Sequence, residues 1–183
     1  MSDGIIKLLK PDDAEVFKKI RLEALRSEPA AFASRSEDWE VLSLDEWRNR
    51  LIEMPVFVAF QDDEPVAIMG LMWQKPSKMA HRATLIMVYV RASLRGTGLA
   101  LELLEQVTKH ADAHGIRQIE LAVSAENPAA RRFYEREGFV EIGRIPGAFL
   151  QDGVEVDEIM MSRRIGSWET RHVSEHWTQP NRR

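Results

Sequence analysis

The chain has 183 residues, 44% of them hydrophobic and 30% charged, with 25 Lys and Arg against 29 Asp and Glu for a formal net charge of −4. That length supplies one sizeable core, and that charge balance argues against a broad nucleic-acid or membrane-surface footprint. With no cysteine, disulfides, thiolate metal sites and a thiol nucleophile are excluded, and the lack of a signal-peptide core or a long apolar run predicts a cytoplasmic protein without membrane partners.

Ile5 to Leu9 reads as a short edge strand. Pro11-Asp12-Asp13 then opens a helix with Ala14, Phe17, Ile20, Ala24 and Leu25 on its apolar face, ending before Pro29. After the small-residue, acidic stretch from Glu28 to Trp39, Ser43 and Glu46 form a predicted capping box for a helix that carries Trp47 and Leu51 and reaches Ile52. Strands follow at Val56 to Phe60 and Val66 to Trp73, joined by a polar loop from Gln61 to Pro65, and another at about Thr84 to Val90.

Helical spacing of Leu99, Leu103, Leu104, Val107 and Ala111 predicts a helix that stops at Gly115, followed by a strand from Ile116 to Val123. Asn127-Pro128 starts a further helix through Ala130, Phe133 and Tyr134 to about Gly138. Strands at Phe139 to Ile145 and Val154 to Ser162 complete a mixed α/β order. We expect one domain over residues 1–165 and a polar tail over 166–183, either disordered or docked.

The segment Arg95-Gly96-Thr97-Gly98-Leu99-Ala100-Leu101 joins a strand to a helix. Glycines there let backbone approach an anion, and unpaired N–H groups at the helix start offer donors and a positive dipole. An ordinary glycine-rich helix cap has the same spacing. A dinucleotide fingerprint fails because Leu101 stands where glycine or alanine is needed, and the Gly-Lys-Ser/Thr ending of a nucleoside-triphosphate loop is absent.

Arg95-Gly96-Thr97-Gly98-Leu99-Ala100 resembles the pyrophosphate signature of the GNAT superfamily of N-acetyltransferases: Arg or Gln, two residues, Gly, one residue, then Gly or Ala. The run from Asn127 to Phe139 resembles that superfamily's second acetyl-CoA motif, and the likeness extends over about residues 3 to 164. It implies a mixed, mostly antiparallel central sheet flanked by helices, and acetyl-CoA as co-substrate without a metal. It also implies direct attack by a primary amine of a small molecule in a ternary complex. A protein or peptide acceptor, or a silent CoA-binding regulatory module, are the competing readings.

By position, the resemblance puts Val88 and Val90 beside the pantetheine arm and thioester, and Arg95, Gly96, Thr97, Gly98, Leu99 and Ala100 around the pyrophosphate. It puts Asn127 at the cofactor and Tyr134 as a cofactor contact and the acid that protonates departing thiolate. Phe32, Trp39, Trp73 and Tyr89 are expected to wall the acceptor pocket, with the Phe149 to Gly153 loop as its opposite rim. Glu23, Glu28, Glu37 and Asp38 are weak candidates for a base, with Tyr89 relaying through water or solvent itself as alternatives. His110 and His114, like His172 and His176, have metal-ligand spacing without a third ligand, so solvated pairs are expected. A homodimer through a sheet edge or the aromatic tail is compatible with the pattern.

Overall fold

A computed structural model describes residues 5–166; the tail and its histidines, His172 and His176, lie outside the described residues. In chain order the elements are β1 (Ile5–Leu8), α1 (Ala14–Ser27), α2 (Glu37–Glu40), α3 (Leu44–Glu53), β2 (Val56–Gln61) and β3 (Glu64–Trp73). They continue with β4 (Arg82–Val90), α4 (Leu99–Ala113), β5 (Gln118–Ser124), α5 (Pro128–Arg136), β6 (Val140–Gln151) and β7 (Val154–Arg164). The strands form one seven-stranded sheet ordered β1-β2-β3-β4-β5-β7-β6. All neighbours are antiparallel except β4 and β5, which α4 connects as a parallel crossover.

Both faces of the central strands are covered, which is why β2 and β3 read as near-continuous apolar runs rather than alternating ones. Val56, Val58 and Ile68 pack with Phe17, Ile20 and Trp47 of α1 and α3. Phe57, Ala59, Ala67 and Met69 pack with Leu103, Leu104, Val107 and Ala111 of α4 on the other side. The capping box forms as expected, with Glu46 N donating to Ser43 Oγ at 3.3 Å and Ser43 N donating to the Glu46 carboxylate at 2.7 Å. Arg163 of β7 ties the remaining layer together, donating to Glu137 O at 2.8 Å and to Thr108 Oγ1 at 2.6 Å.

Three boundaries differ from expectation. The β2–β3 loop is a turn at Asp62 and Asp63, with φ of 49° and 64°, so Glu64 and Pro65 already belong to the strand. Consecutive positive φ values give the turn the twist of a hairpin, which a polar five-residue stretch does not reveal. β5 begins at Gln118 rather than Ile116, and the last hairpin is longer than expected, reaching Gln151 and Arg164 because β6 and β7 keep pairing through irregularities in β6.

The feature that positions the site lies in β4. Ile86 faces Gly70 and Tyr89 faces Ile68, so Met87 and Val88 together oppose the single residue Met69, and Met87 takes a positive φ of 57°. This β-bulge bends the strand. Pairing with β5 is confined to Arg82–Gln118, Ala83–Ile119 and Thr84–Glu120. Beyond Thr84 the two parallel strands part, leaving a gap in the middle of the sheet.

Candidate active site

The gap between β4 and β5 opens into a cleft of about 560 Å³ lined by Val88, Tyr89, Val90, Arg95, Gly96, Ala100, Asn127 and Tyr134, with Phe32 on the far wall. Thr97, Gly98 and Leu99 complete the loop and first helical turn beside it rather than forming its wall.

Gly96 and Gly98 have φ of 77° and 98°, in the left-handed region. A Cβ at Gly96 would meet nothing within 4 Å, and one at Gly98 only Glu102 Oε1 at 4.0 Å, so the glycines are required by backbone conformation and not by crowding. The resulting bend turns the N–H groups of Gly96, Thr97, Gly98, Leu99 and Ala100 away from any acceptor among the described residues. Leu101 and Glu102 N–H both donate back to Gly98 O, at 2.9 and 3.1 Å, and start the helix. A run of unpaired amides at the mouth of a 15-residue helix is suited to a phosphate-bearing ligand. Thr97 Oγ1 donates to Leu94 O at 2.8 Å and stabilises the bend. Arg95 is anchored beside it, donating through Nε to Val90 O at 3.1 Å and through Nη2 to Glu28 at 2.5 Å.

Across the cleft, Asn127 caps α5 by accepting from Ala130 N–H at 3.0 Å. One helical face then delivers Ala130 and Tyr134 to the opening. Tyr134 is 6% exposed, edge-on to Phe133 and Phe139 at 5.4 and 5.6 Å. Burial pushes the Tyr134 phenol above its ordinary value, so it stays protonated across the physiological range.

A smaller cavity of about 230 Å³ continues from this cleft through the sheet gap, sharing Phe32, Val88, Ser124, Asn127 and Tyr134 with it. Its inner walls are Thr84, Ile86, Leu121 and Ala33, and its floor carries Glu158 of β7. Glu158 stands on the rung opposite Ser124. Neither Ser124 nor Glu158 was expected at the site; the available signal was a carboxylate between Val156 and Met160 on one face of a predicted strand. The Phe149 to Gly153 rim contributes differently from expectation, since Leu150, Gln151 and Asp152 line a third cavity that meets the second at Phe32 and Ala33.

Two expected acceptor residues lie elsewhere. Trp39 packs against Phe17 and Trp47 with centroids 6.2 and 5.2 Å away, and the guanidinium groups of Arg21 and Arg50 sit over its ring at 4.6 and 4.4 Å. It therefore fills the α1–α3 layer. Trp73 is opposite Ala83, at the end of the sheet where β4 and β5 are still paired, and stacks with His110 at 6.1 Å. His110 and His114 are correspondingly a ring pair, 4.2 Å apart and packed on Trp73, rather than a fully solvated pair.

The proposed bases are mostly occupied. Arg91 donates to both Glu23 oxygens at 2.6 and 2.7 Å, Tyr89 donates to Glu23 at 3.2 Å, and the Arg91 bonds hold the Glu23 carboxyl below its ordinary range. Tyr89 lines the cleft with its hydroxyl thus engaged, and burial raises its phenol. Glu28 is paired with Arg95, Asp38 accepts from Arg35 N–H at 2.8 Å, and Glu37 accepts from Ser36 Oγ at 3.3 Å. Among the described residues no helix is long and apolar enough to cross a membrane, and no group of three His, Asp or Glu side chains is arranged to hold a metal.

Comparison with known proteins adds an independent line. The family model described as Acetyltransferase (GNAT) family matches residues 20–139. The chain is 26% identical over 132 residues to mycothiol acetyltransferase of Brachybacterium faecium, covering 72% of this chain and 39% of that protein, so it spans about two-fifths of that relative's length. Its fold is similar to that of an acetyltransferase of the GNAT family from Streptococcus pneumoniae, with a TM-score of 0.78 at 22% identity, covering 90% of this chain and 100% of the other. It is also similar to yncA of Salmonella typhimurium, solved with its cofactor acetyl-CoA, with a TM-score of 0.73 at 19% identity, covering 98% and 99%.

Proposed function

Because the chain belongs to the Acetyltransferase (GNAT) family, we propose that it transfers an acetyl group from acetyl-CoA to a primary amine of a small molecule, within a ternary complex. The observation that carries this reading is the sharing of Tyr134 between two connected cavities, one opening on the unpaired amides of the Gly96 to Ala100 bend and the other on Glu158.

The residues present fit acetyl-CoA. The bend provides N–H donors and a helix dipole for a diphosphate, and β4 from Leu85 to Val90 has an edge unpaired by β5 for an amide-bearing arm. Arg95 adds a guanidinium at the same end. Acetyl-CoA supplies an activated acetyl thioester, so no protein nucleophile is needed, in keeping with a chain that has no cysteine.

The protein's task is alignment and charge stabilisation. Val88 borders both cavities and Val90 the larger one, and backbone N–H groups along this stretch are the candidate donors for the carbonyl oxygen. Tyr134 gives its proton to sulfur as thiolate charge forms. A free phenol has a pKa of about 10 and a free thiol about 8.5; burial makes the phenol a weaker acid still, so donation becomes favourable only as negative charge builds on sulfur. Phe32, Leu121 and Ile86 line the smaller cavity together with the polar Thr84, Ser124, Asn127 and Glu158, and its volume suits a small amine better than a peptide strand.

The test is incubation with acetyl-CoA and a panel of small amines, peptides and proteins, with CoA release and acceptor mass followed together. Acetylated small amines are expected. Product only on peptides would move the reading to a peptide acceptor, and acetyl-CoA binding without any product would move it to a regulatory module.

A further inference from the structure

We propose that Glu158 is the carboxylate that receives and holds the acceptor's ammonium group. This rests on the acetyltransferase reading and gives it a substrate class: a primary ammonium on a compact body.

Glu158 is half-buried and is the sole charged residue lining the smaller cavity among the described residues. Its carboxylate has no hydrogen bond or ion pair among the described residues. Asp157, next to it in the chain, is paired with Arg144 at 2.9 Å, while Glu23 and Glu28 are paired with Arg91 and Arg95. A carboxylate without a protein partner in an otherwise uncharged cavity is available to pair with a cationic ligand through charge-assisted hydrogen bonds. The β5–β7 register sets Glu158 beside Ser124, and Ser124 and Tyr134 both border the two cavities, so the carboxylate and the phenol line one continuous space.

The chemistry balances. The ammonium gives one proton to water and is held at Glu158 by its remaining N–H groups. The nitrogen lone pair forms the C–N bond, the C–S bond breaks with its electron pair on sulfur, and Tyr134 protonates that sulfur. The acylated nitrogen, now strongly acidic, passes its surplus proton to water, while water restores the Tyr134 proton. The net result is one amide, one free thiol and one proton released.

The test compares Glu158→Gln with wild type using benzylamine, ethanolamine and alaninamide, which are largely ammonium ions at neutral pH, and hydroxylamine, which is neutral there. Acetyl-CoA affinity, measured by calorimetry, should be unchanged in the variant. kcat/KM for the ammonium acceptors should fall by about 10²-fold or more, hydroxylamine should lose less than about a tenth of that factor, and Glu158→Asp should recover part of the amine activity. Equal losses for both kinds of acceptor, or no loss for either, overturn the assignment. Wild type that binds acetyl-CoA yet acetylates none of the four nucleophiles overturns small-amine transfer itself, and Glu158's role with it.

Discussion

Arg82 grips Glu120 with two hydrogen bonds, at 2.5 and 2.7 Å, on the last rungs where β4 and β5 are paired. The pair fastens the sheet at the point where the cleft begins. Gln118 adds a third donor to the same carboxylate at 2.6 Å.

Glu120→Gln should therefore cost about 2 kcal/mol, below the range for breaking a fully buried pair because Arg82 is partly exposed. Hydrogen bonding from Arg82 is the main reason the Glu120 carboxyl lies below its ordinary range, against the opposing effect of burial. A depressed folded-state pKa contributes stability that is complete above the unfolded value of about 4.3 and is lost as pH falls through the folded value. Urea denaturation at a series of acidic pH values should show a shallower loss in Glu120→Gln than in wild type.

Tyr134→Phe removes the phenolic proton while leaving the ring packed on Phe133 and Phe139. Turnover should fall by about 10²-fold with acetyl-CoA affinity retained. Steady-state kinetics beside calorimetry separate the two, and unchanged turnover over the whole pH range would exclude an acid role.

Gly98→Ala meets no steric obstacle but forces an L-residue to hold a φ of 98°. Backbone strain of about 1–3 kcal/mol should relax the bend and scatter its N–H groups. Acetyl-CoA affinity should drop by about tenfold or more for a loss of about 1.4 kcal/mol, measured by calorimetry, and equal affinity would remove the amide cradle from the account.

His110 is edge-on to Phe57 at 5.3 Å as well as packed on Trp73 and His114. Burial first, and the neighbouring His114 second, lower its imidazole pKa. Because the unfolded chain binds the proton more readily, stability is complete above the unfolded value of about 6.5 and declines as pH falls through it toward the folded value. His110→Gln should flatten this part of the stability profile, read as the midpoint of thermal unfolding between mildly acidic and neutral pH.

The helix-entry bend and the Asn127 to Phe139 helix are legible in the sequence because each is a local signal, with glycine, proline and capping residues at fixed spacing. The course of the cleft is not, because it depends on where β4 and β5 stop pairing and on a bulge at Met87 and Val88 whose associated glycine, Gly70, lies on the neighbouring strand. Aromatic composition also fails to sort its own members: Phe32 lines the cavities, whereas Trp39 is enclosed by Phe17, Trp47 and two guanidinium groups. Glu158 escapes notice for a similar reason, since its significance comes from a partner strand distant in the chain.

The offset at Met87 makes the opening a matter of how many residues β4 contains, not which ones. Removing one of the two offset residues would restore the β3–β4 register and turn the residues after it, Tyr89 and Val90 included, to the opposite face. Conversely, Phe32 or Ile86, both only partly buried, can be exchanged to admit differently shaped amines without disturbing the backbone that creates the entrance. Access and selectivity are thereby carried by separable parts of the molecule.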